Sequence, residues 1–411
     1  MMTTPLLQPV ISPILVGRDE YLAALDSLAS GVKAGQGVTL LVSGEAGIGK
    51  SRLVAEARTR FRREPAGRVL QGHCFEHDAG LPYAPFVDLF HNMLAEQPDE
   101  LSRLLAVAPE LAVLLPELAD QPVPSTTADA EQDKRRMQQA LVRMVATLSG
   151  EQPVLLIIED IHWADGLTLE LLQRLAQRVA ALRLLLIVTW RDEEESEPLR
   201  HFLAAVDRGR TGRELQLARL EPAAVERMLR AMFGQPQPIR PDFLETIVGL
   251  TDGNPFFIEE VVTALIASGD IYRENGNWSR KELTELRIPR SVVDAVQQRA
   301  RGLSGTARQL LDLAAVAGQR FDVGIVQEVL VLDDAALLGA IRELVEARLI
   351  VDVSDEQAAF RHALTREAVY AALLARERRA HHLALAEAIE RRHAASPGPY
   401  AVDLSYHYHA A

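Results

Sequence analysis

Cysteine is almost absent from this chain of 411 residues, which holds one, Cys74. One thiol excludes an internal disulfide and a zinc site built from cysteines, and it fits a reducing, cytoplasmic setting. Long apolar runs are also missing. The longest, Leu184–Trp190 and Val154–Ile158, fall far short of the roughly 20 residues that span a bilayer. They read instead as buried strands, and no membrane partner is expected. Met1–Val10 has neither a basic stretch nor a long apolar core, so no secretory leader is expected. Positive charge is in deficit: 44 Lys and Arg against 57 Asp and Glu give a net charge of −13. Such a field repels phosphate and argues against nucleic-acid binding by overall charge. The rest of the composition is globular, 48% hydrophobic and 25% charged, too apolar for a disordered chain. The length predicts roughly two to four domains.

Periodicity organises the chain into two contrasting halves. Val38–Ser43 is a short apolar run opening into a glycine-rich turn, and Ser51–Phe61 has helical spacing. Val69–Gly72, Val154–Glu159 and Leu184–Thr189 read as further strands, and Gln132–Leu148 and Leu167–Val179 as helices between them. Strands alternating with helices predict a parallel sheet with helices on both faces. Short helices are expected over 80–118, and a loop over Gln121–Asp129. After Glu214 the pattern turns helical, with hairpin signals at Ile271–Trp278, around an Asn-Gly turn, and at Leu349–His362.

The chemistry is concentrated at the first glycine-rich turn. Gly44, Glu45, Ala46, Gly47, Ile48, Gly49, Lys50 and Ser51 fit G-x-x-x-x-G-K-[ST] in full, with a strand before and a helix after. Glycines let backbone N–H groups point inward around a β-phosphate at the positive end of a helix. Lys50 is expected to reach the β- and γ-phosphates, and the Ser51 hydroxyl to hold Mg²⁺. The glycine order differs from that of dinucleotide folds. Glu159 and Asp160 then end an apolar strand, where adjacent carboxylates are costly without a cation. Glu159 is expected to coordinate Mg²⁺, and Asp160 to orient or deprotonate an attacking water; the bland alternative is a solvated strand end. Asp165 is placed to cap the next helix. Arg191 follows another strand and either senses a γ-phosphate or is a surface arginine paired with Asp192 or Glu193. The acidic run Asp192–Glu197 reads as a solvated loop. His73, Cys74 and His77 match no common metal spacing, and His381, His382, His407 and His409 read as helix-surface residues.

These pieces in this order resemble the STAND class of P-loop signalling ATPases, and more closely the N-terminal ATPase module of large LuxR-type (MalT-like) transcriptional regulators. The resemblance rests on LVGRDE (residues 15–20), the phosphate loop through Arg52, LLIIEDIHWAD (155–165), TWR (189–191), DGNPF (252–256) and FRHAL (360–364). It implies an α/β P-loop core with a parallel sheet over 14–215 after a flexible lead-in at 1–13. A helical small domain at 216–285, a winged helix at 286–370 and the start of a helical-repeat region at 371–411 would follow. It further implies that Val16, Gly17 and Arg18 bracket an adenine, that Pro255 packs on the base, that Arg191 is a sensor, and that His362 contacts the β-phosphate of bound ADP. The function implied is an ATP/ADP switch with slow Mg²⁺-dependent hydrolysis, answering an unknown inducer and self-associating in its ATP state. The winged helix would then be an internal lever with no direct DNA binding. Glu159 departs from the usual aspartate. The rival reading is an origin-recognition-like AAA+ ATPase working on DNA or protein.

Overall fold

Six residues, Val38–Ser43, five of them buried, form the strand around which the first unit is built. The computed structural model describes residues 12–62, 67–76, 80–96, 98–115, 130–274, 277–281, 292–347, 349–354, 356–394 and 400–411. Most of the expected lead-in, the Gln121–Asp129 loop, the Asn275–Gly276 turn and His77 lie outside them. The chain divides into two compact units. The first comprises 18–45 and 49–217; the second comprises 218–411 with the loop residues 46–48 and the segment up to Gly17.

In the first unit the elements run α1 (Asp19–Lys33), β1 (Val38–Ser43), α2 (Lys50–Phe61), β2 (Arg68–His73), α3 (Ala84–Glu96) and α4 (Pro98–Val107). They continue with α5 (Ala130–Glu151), β3 (Val154–Glu159), α6 (Gly166–Arg178), β4 (Leu184–Thr189), α7 (Glu197–Arg208) and β5 (Gly212–Gln216). The sheet order is β2-β3-β4-β1-β5, and every pairing is parallel. The expected parallel α/β core is therefore present. All six residues of β3 and of β4 are buried, which is why these strands are unbroken apolar runs and not alternating ones. Aliphatic side chains of the sheet join Phe86, Phe90, Leu171, Leu175 and Trp190 in one core.

Two features of this unit differ from the sequence reading. β5 was not expected: Arg213, Glu214 and Gln216 are exposed, so an edge strand with one covered neighbour has no apolar run to reveal it. The Asp192–Glu197 segment is not simply a solvated loop. Asp192–Glu194 is a 3-10 turn, and the Ser196 hydroxyl accepts from Leu199 N–H to start α7. The expected cap at Asp165 is present, its carboxylate accepting from the Leu167 and Thr168 amides.

The second unit runs α8 (Pro222–Phe233), α9 (Pro241–Thr251), α10 (Pro255–Ala267), β6 (Ile271–Glu274), β7 (Asn277–Arg280), α11 (Val292–Ala300) and α12 (Gly305–Ala317). After these come β8 (Arg320–Asp322), α13 (Val323–Leu330), α14 (Asp334–Glu346), β9 (Ile350–Asp352), β10 (Gln357–Phe360), α15 (Ala363–Ala372), α16 (Ala375–Arg392) and α17 (Ala401–Ala410). β6 and β7 form an antiparallel pair, and β8-β10-β9 a small antiparallel sheet. One core gathers Val16 with apolar residues of α8–α10. A second gathers α11–α16 around Leu311, Phe321 and Phe360. His382 and His407, expected on helix surfaces, are buried at 1% and 4% exposure, because α16 and α17 turn these faces toward each other. Among the described residues no helix is long and apolar enough to cross a membrane.

Candidate active site

β1 delivers the chain to Gly44 (φ +143°) and the phosphate loop, and Gly49, at φ +102°, precedes α2. These are conformations that an L side chain resists. Lys50 and Ser51 therefore stand on the first turn of α2. Lys50 is 7% exposed, and its ammonium donates to the Gly44 carbonyl at 2.6 Å and the Glu45 carbonyl at 2.9 Å. Burial lowers its pKa and Arg191 adds to this, while Asp160 opposes it. The lysine so lies over the rim of the loop within the field of both groups.

β3 brings up the acids. Glu159 is 3% exposed and belongs to a network: Gln71 Nε2 donates to its Oε1 at 2.6 Å, His73 Nε2 is 3.4 Å away, and the Ser51 hydroxyl also bonds it. Burial pushes the Glu159 pKa up, but the bonds and charge from His73, Ser51 and Gln71 outweigh it and hold the carboxyl below its ordinary value. Asp160 leaves the strand at φ +59°, a left-handed conformation that aspartate tolerates. Its amide donates to the Thr189 hydroxyl of β4 at 3.0 Å. Burial, then the Glu159 charge, raises its carboxyl to about 6.

β4 ends at Arg191, 8% exposed, whose guanidinium donates to Glu194 at 2.7 Å. The ion pair foreseen with Asp192 or Glu193 is thus made with Glu194, because the 3-10 turn brings the residue three positions on beside it. Beneath these groups lies His162, its side chain fully buried, with Nε2 3.5 Å from Glu194 and Nδ1 4.0 Å from Asp160. Among the described residues neither ring nitrogen has a hydrogen-bond partner. Burial, with Arg191 and Lys50, lowers its pKa to about 3, which leaves a neutral imidazole.

The first unit thus gathers Gly44, Glu45, Gly49, Lys50, Ser51, Arg52, Glu159, Asp160 and Arg191 around the carboxyl ends of β1, β3 and β4, where open α/β sheets take their ligands. Arg18 belongs to this unit as well, at the start of α1, with its guanidinium over the Tyr21 ring. The remaining expected residues fall in the second unit. Val16 lies in the α8–α10 core, and Gly17 sits so close to Leu220 and Ala224 that an added Cβ would lie 3.0 and 3.1 Å from them. Asn254 Nδ2 donates to the Ala46 carbonyl at 3.0 Å, and the Phe256 amide, one residue past Pro255, to the Gly47 carbonyl at 3.3 Å. Ile48 is 1% exposed, and the His362 ring meets Phe256 edge-on at 4.8 Å.

Sequence reasoning missed Gln71, His73, Asp88, His162 and Thr189. His73 had been weighed only as a metal ligand. Among the described residues no group of three or more His, Cys, Asp or Glu side chains stands ready to hold a metal. The Ser51–Glu159 pair does fit Mg²⁺, which is typically bound by one or two protein oxygens and completed by phosphates and water.

Residues 14–188 match the AAA ATPase domain family. An uncharacterized protein of Rhizobium meliloti is 26% identical, over 92% of this chain and 37% of its own length. The Signal Transduction ATPase with Numerous Domains (STAND) protein with a tetratricopeptide repeat sensor from Pyrococcus horikoshii aligns at 14% identity and a TM-score of 0.49, over 95% of this chain and 47% of that one. The Aeropyrum pernix ORC1 protein, solved in complex with DNA, aligns at 16% identity and 0.40, over 88% and 94%. The chain spans little more than a third of the curated relative and under half of the STAND structure. The AAA ATPase domain match covers residues 14–188, and within them the phosphate loop follows β1 of a parallel sheet, the arrangement of a P-loop nucleotide-binding domain.

Proposed function

We propose that the chain is the ATP/ADP-binding switch module of a STAND-class regulator, of the kind that precedes helical repeats in LuxR-type transcriptional regulators. The observation that carries the reading is the convergence of Lys50, Ser51, Glu159, Asp160 and Arg191 at neighbouring strand ends within one unit. In this reading the phosphate-loop amides and Lys50 bind the β- and γ-phosphates, while Ser51 and Glu159 hold Mg²⁺. When bound, the ion neutralises phosphate charge that develops during transfer. Asp160 orients the attacking water, and Arg191 exchanges Glu194 for the γ-phosphate. That exchange makes the contacts of ATP and ADP different, as a switch requires.

Two observations favour a slow switch over a motor working on DNA. Arg191 is already engaged by Glu194. The order α12, β8, α13, α14 and hairpin β9–β10 supports reading 286–370 as a winged helix, yet α14, the helix that would enter a groove, has Arg342 as its one basic residue and exposes Leu338 and Val345. That face suits an internal lever. An inducer and self-association in the ATP state complete the proposed cycle. The test is the nucleotide retained through purification. ADP near one per chain is expected, and Lys50→Ala is expected to be empty and to bind neither ADP nor ATP. A Lys50→Ala variant with unaltered affinity sinks the site; an empty parent with rapid turnover sinks the switch.

A further inference from the structure

Glu159 carries one methylene more than an aspartate would, and a longer carboxylate has one more torsion to fix before it can hold a metal. β2 supplies the means. Parallel pairing sets His73 beside Glu159 and Gln71 beside Ile157. Gln71 and His73, two residues apart, share a face of the strand. Gln71 Nε2 reaches Oε1 of Glu159 at 2.6 Å, and His73 Nε2 stands 3.4 Å from the same oxygen. His73 is itself held by Asp88, whose Oδ2 is 2.9 Å from its ring Nδ1 and 2.9 Å from its amide nitrogen. Asp88 is in reach because α3 lies hard against β2. A Cβ added to Gly72 would sit 1.9 Å from the Pro85 carbonyl oxygen, so only glycine permits this approach.

Resting on the reading of Glu159 as the Mg²⁺ carboxylate, we propose that Gln71 and the Asp88-anchored His73 are positioning residues. They clamp one oxygen of Glu159 from β2 and so set the chain's Mg²⁺ requirement. The clamp is the counterpart of the longer side chain: it restrains the extra torsion before the ion arrives. Hydrogen-bond partners of metal-binding carboxylates typically govern affinity about 10- to 100-fold. Gln71 is the cleanest probe, because it is neutral and its removal leaves the site's charge unchanged.

The experiment titrates Mg²⁺ into the full chain with a fluorescent ADP analogue and repeats the binding in EDTA. Gln71→Leu is expected to raise the half-maximal Mg²⁺ concentration about tenfold while leaving metal-free affinity and melting temperature near those of the parent. Gln71→Met replaces it should the leucine variant fail to fold. Glu159→Asp, too short to reach Gln71, is expected to show a similar rise. In Mg²⁺ requirement the double variant should be no worse than either single one, since both break the Gln71–Glu159 bond; Gln71→Leu also removes the acceptor of Arg58 Nη1, 2.9 Å away on α2. An unchanged Mg²⁺ requirement in Gln71→Leu, or full additivity with Glu159→Asp, overturns the clamp. A parent whose nucleotide binding ignores Mg²⁺ overturns the assignment of Glu159 itself, and the clamp with it.

Discussion

Arg299 and Glu260 form an ion pair, their side chains 4% and 5% exposed, joining α11 to α10. Burial lowers the arginine's pKa and raises the glutamate's, each opposed by the partner. Breaking such a pair leaves one charge buried alone, at about 3–5 kcal/mol, whereas replacing both members with apolar residues is often neutral. Arg299→Met is therefore expected to lose about that much in urea unfolding, and the Glu260→Met/Arg299→Met double variant to recover most of it. Equal losses in both would contradict this account. At the same scale, the active site is only partly legible in the sequence. The phosphate loop is readable because its function resides in a contiguous backbone. Glu159 and Asp160 are readable because acids are out of place at the end of a buried strand. Gln71, His73 and Asp88 are not, because strand pairing and the close approach of α3 bring them to Glu159, and nothing in their separations in sequence from that residue announces it. Glu194 is hidden for a smaller reason: only the 3-10 turn selects it over its two acidic neighbours.

Where α15, α16 and α17 meet, His382 Nδ1 lies 2.9 Å from His407 Nδ1, and Tyr370 Oη 3.2 Å from His382 Nε2. One imidazole must donate and the other accept, so the pair holds one proton between the Nδ1 atoms. Tyr406 packs edge-on to His382, while Arg366, Arg378 and His381 add positive field. Burial, then those cations, lowers the His382 pKa to about 4, against about 6.5 in an unfolded chain. Between these values the unfolded chain binds more protons. The stability from a neutral His382 is therefore complete above pH ~6.5 and lost as pH falls toward ~4. Hydrogen exchange in α17 should accelerate over that window, and His382→Gln should flatten the dependence. Parallel pH profiles in parent and variant would refute it. Elements differ in legibility as well. The fully buried β3 and β4 coincide with their apolar runs, whereas β5 and the three-residue β8 have none to offer.

At the scale of the whole molecule, charge decides what can approach. A net charge of −13 repels a phosphate backbone at long range, and α14 offers it one cation, Arg342. Duplex DNA should show no mobility shift with this chain even at low salt, and binding that declines steeply with added salt would overturn that expectation. Among the described residues, buried apolar side chains gather into one core in the first unit and two in the second. The rim of the main sheet has a consequence of its own. β5 is an edge strand of five residues with Arg213, Glu214 and Gln216 turned to solvent. A short, charged rim is a poor template for another chain to extend. At this edge, strand addition by another chain is disfavoured, and the order of the five strands is left to pairing within the chain.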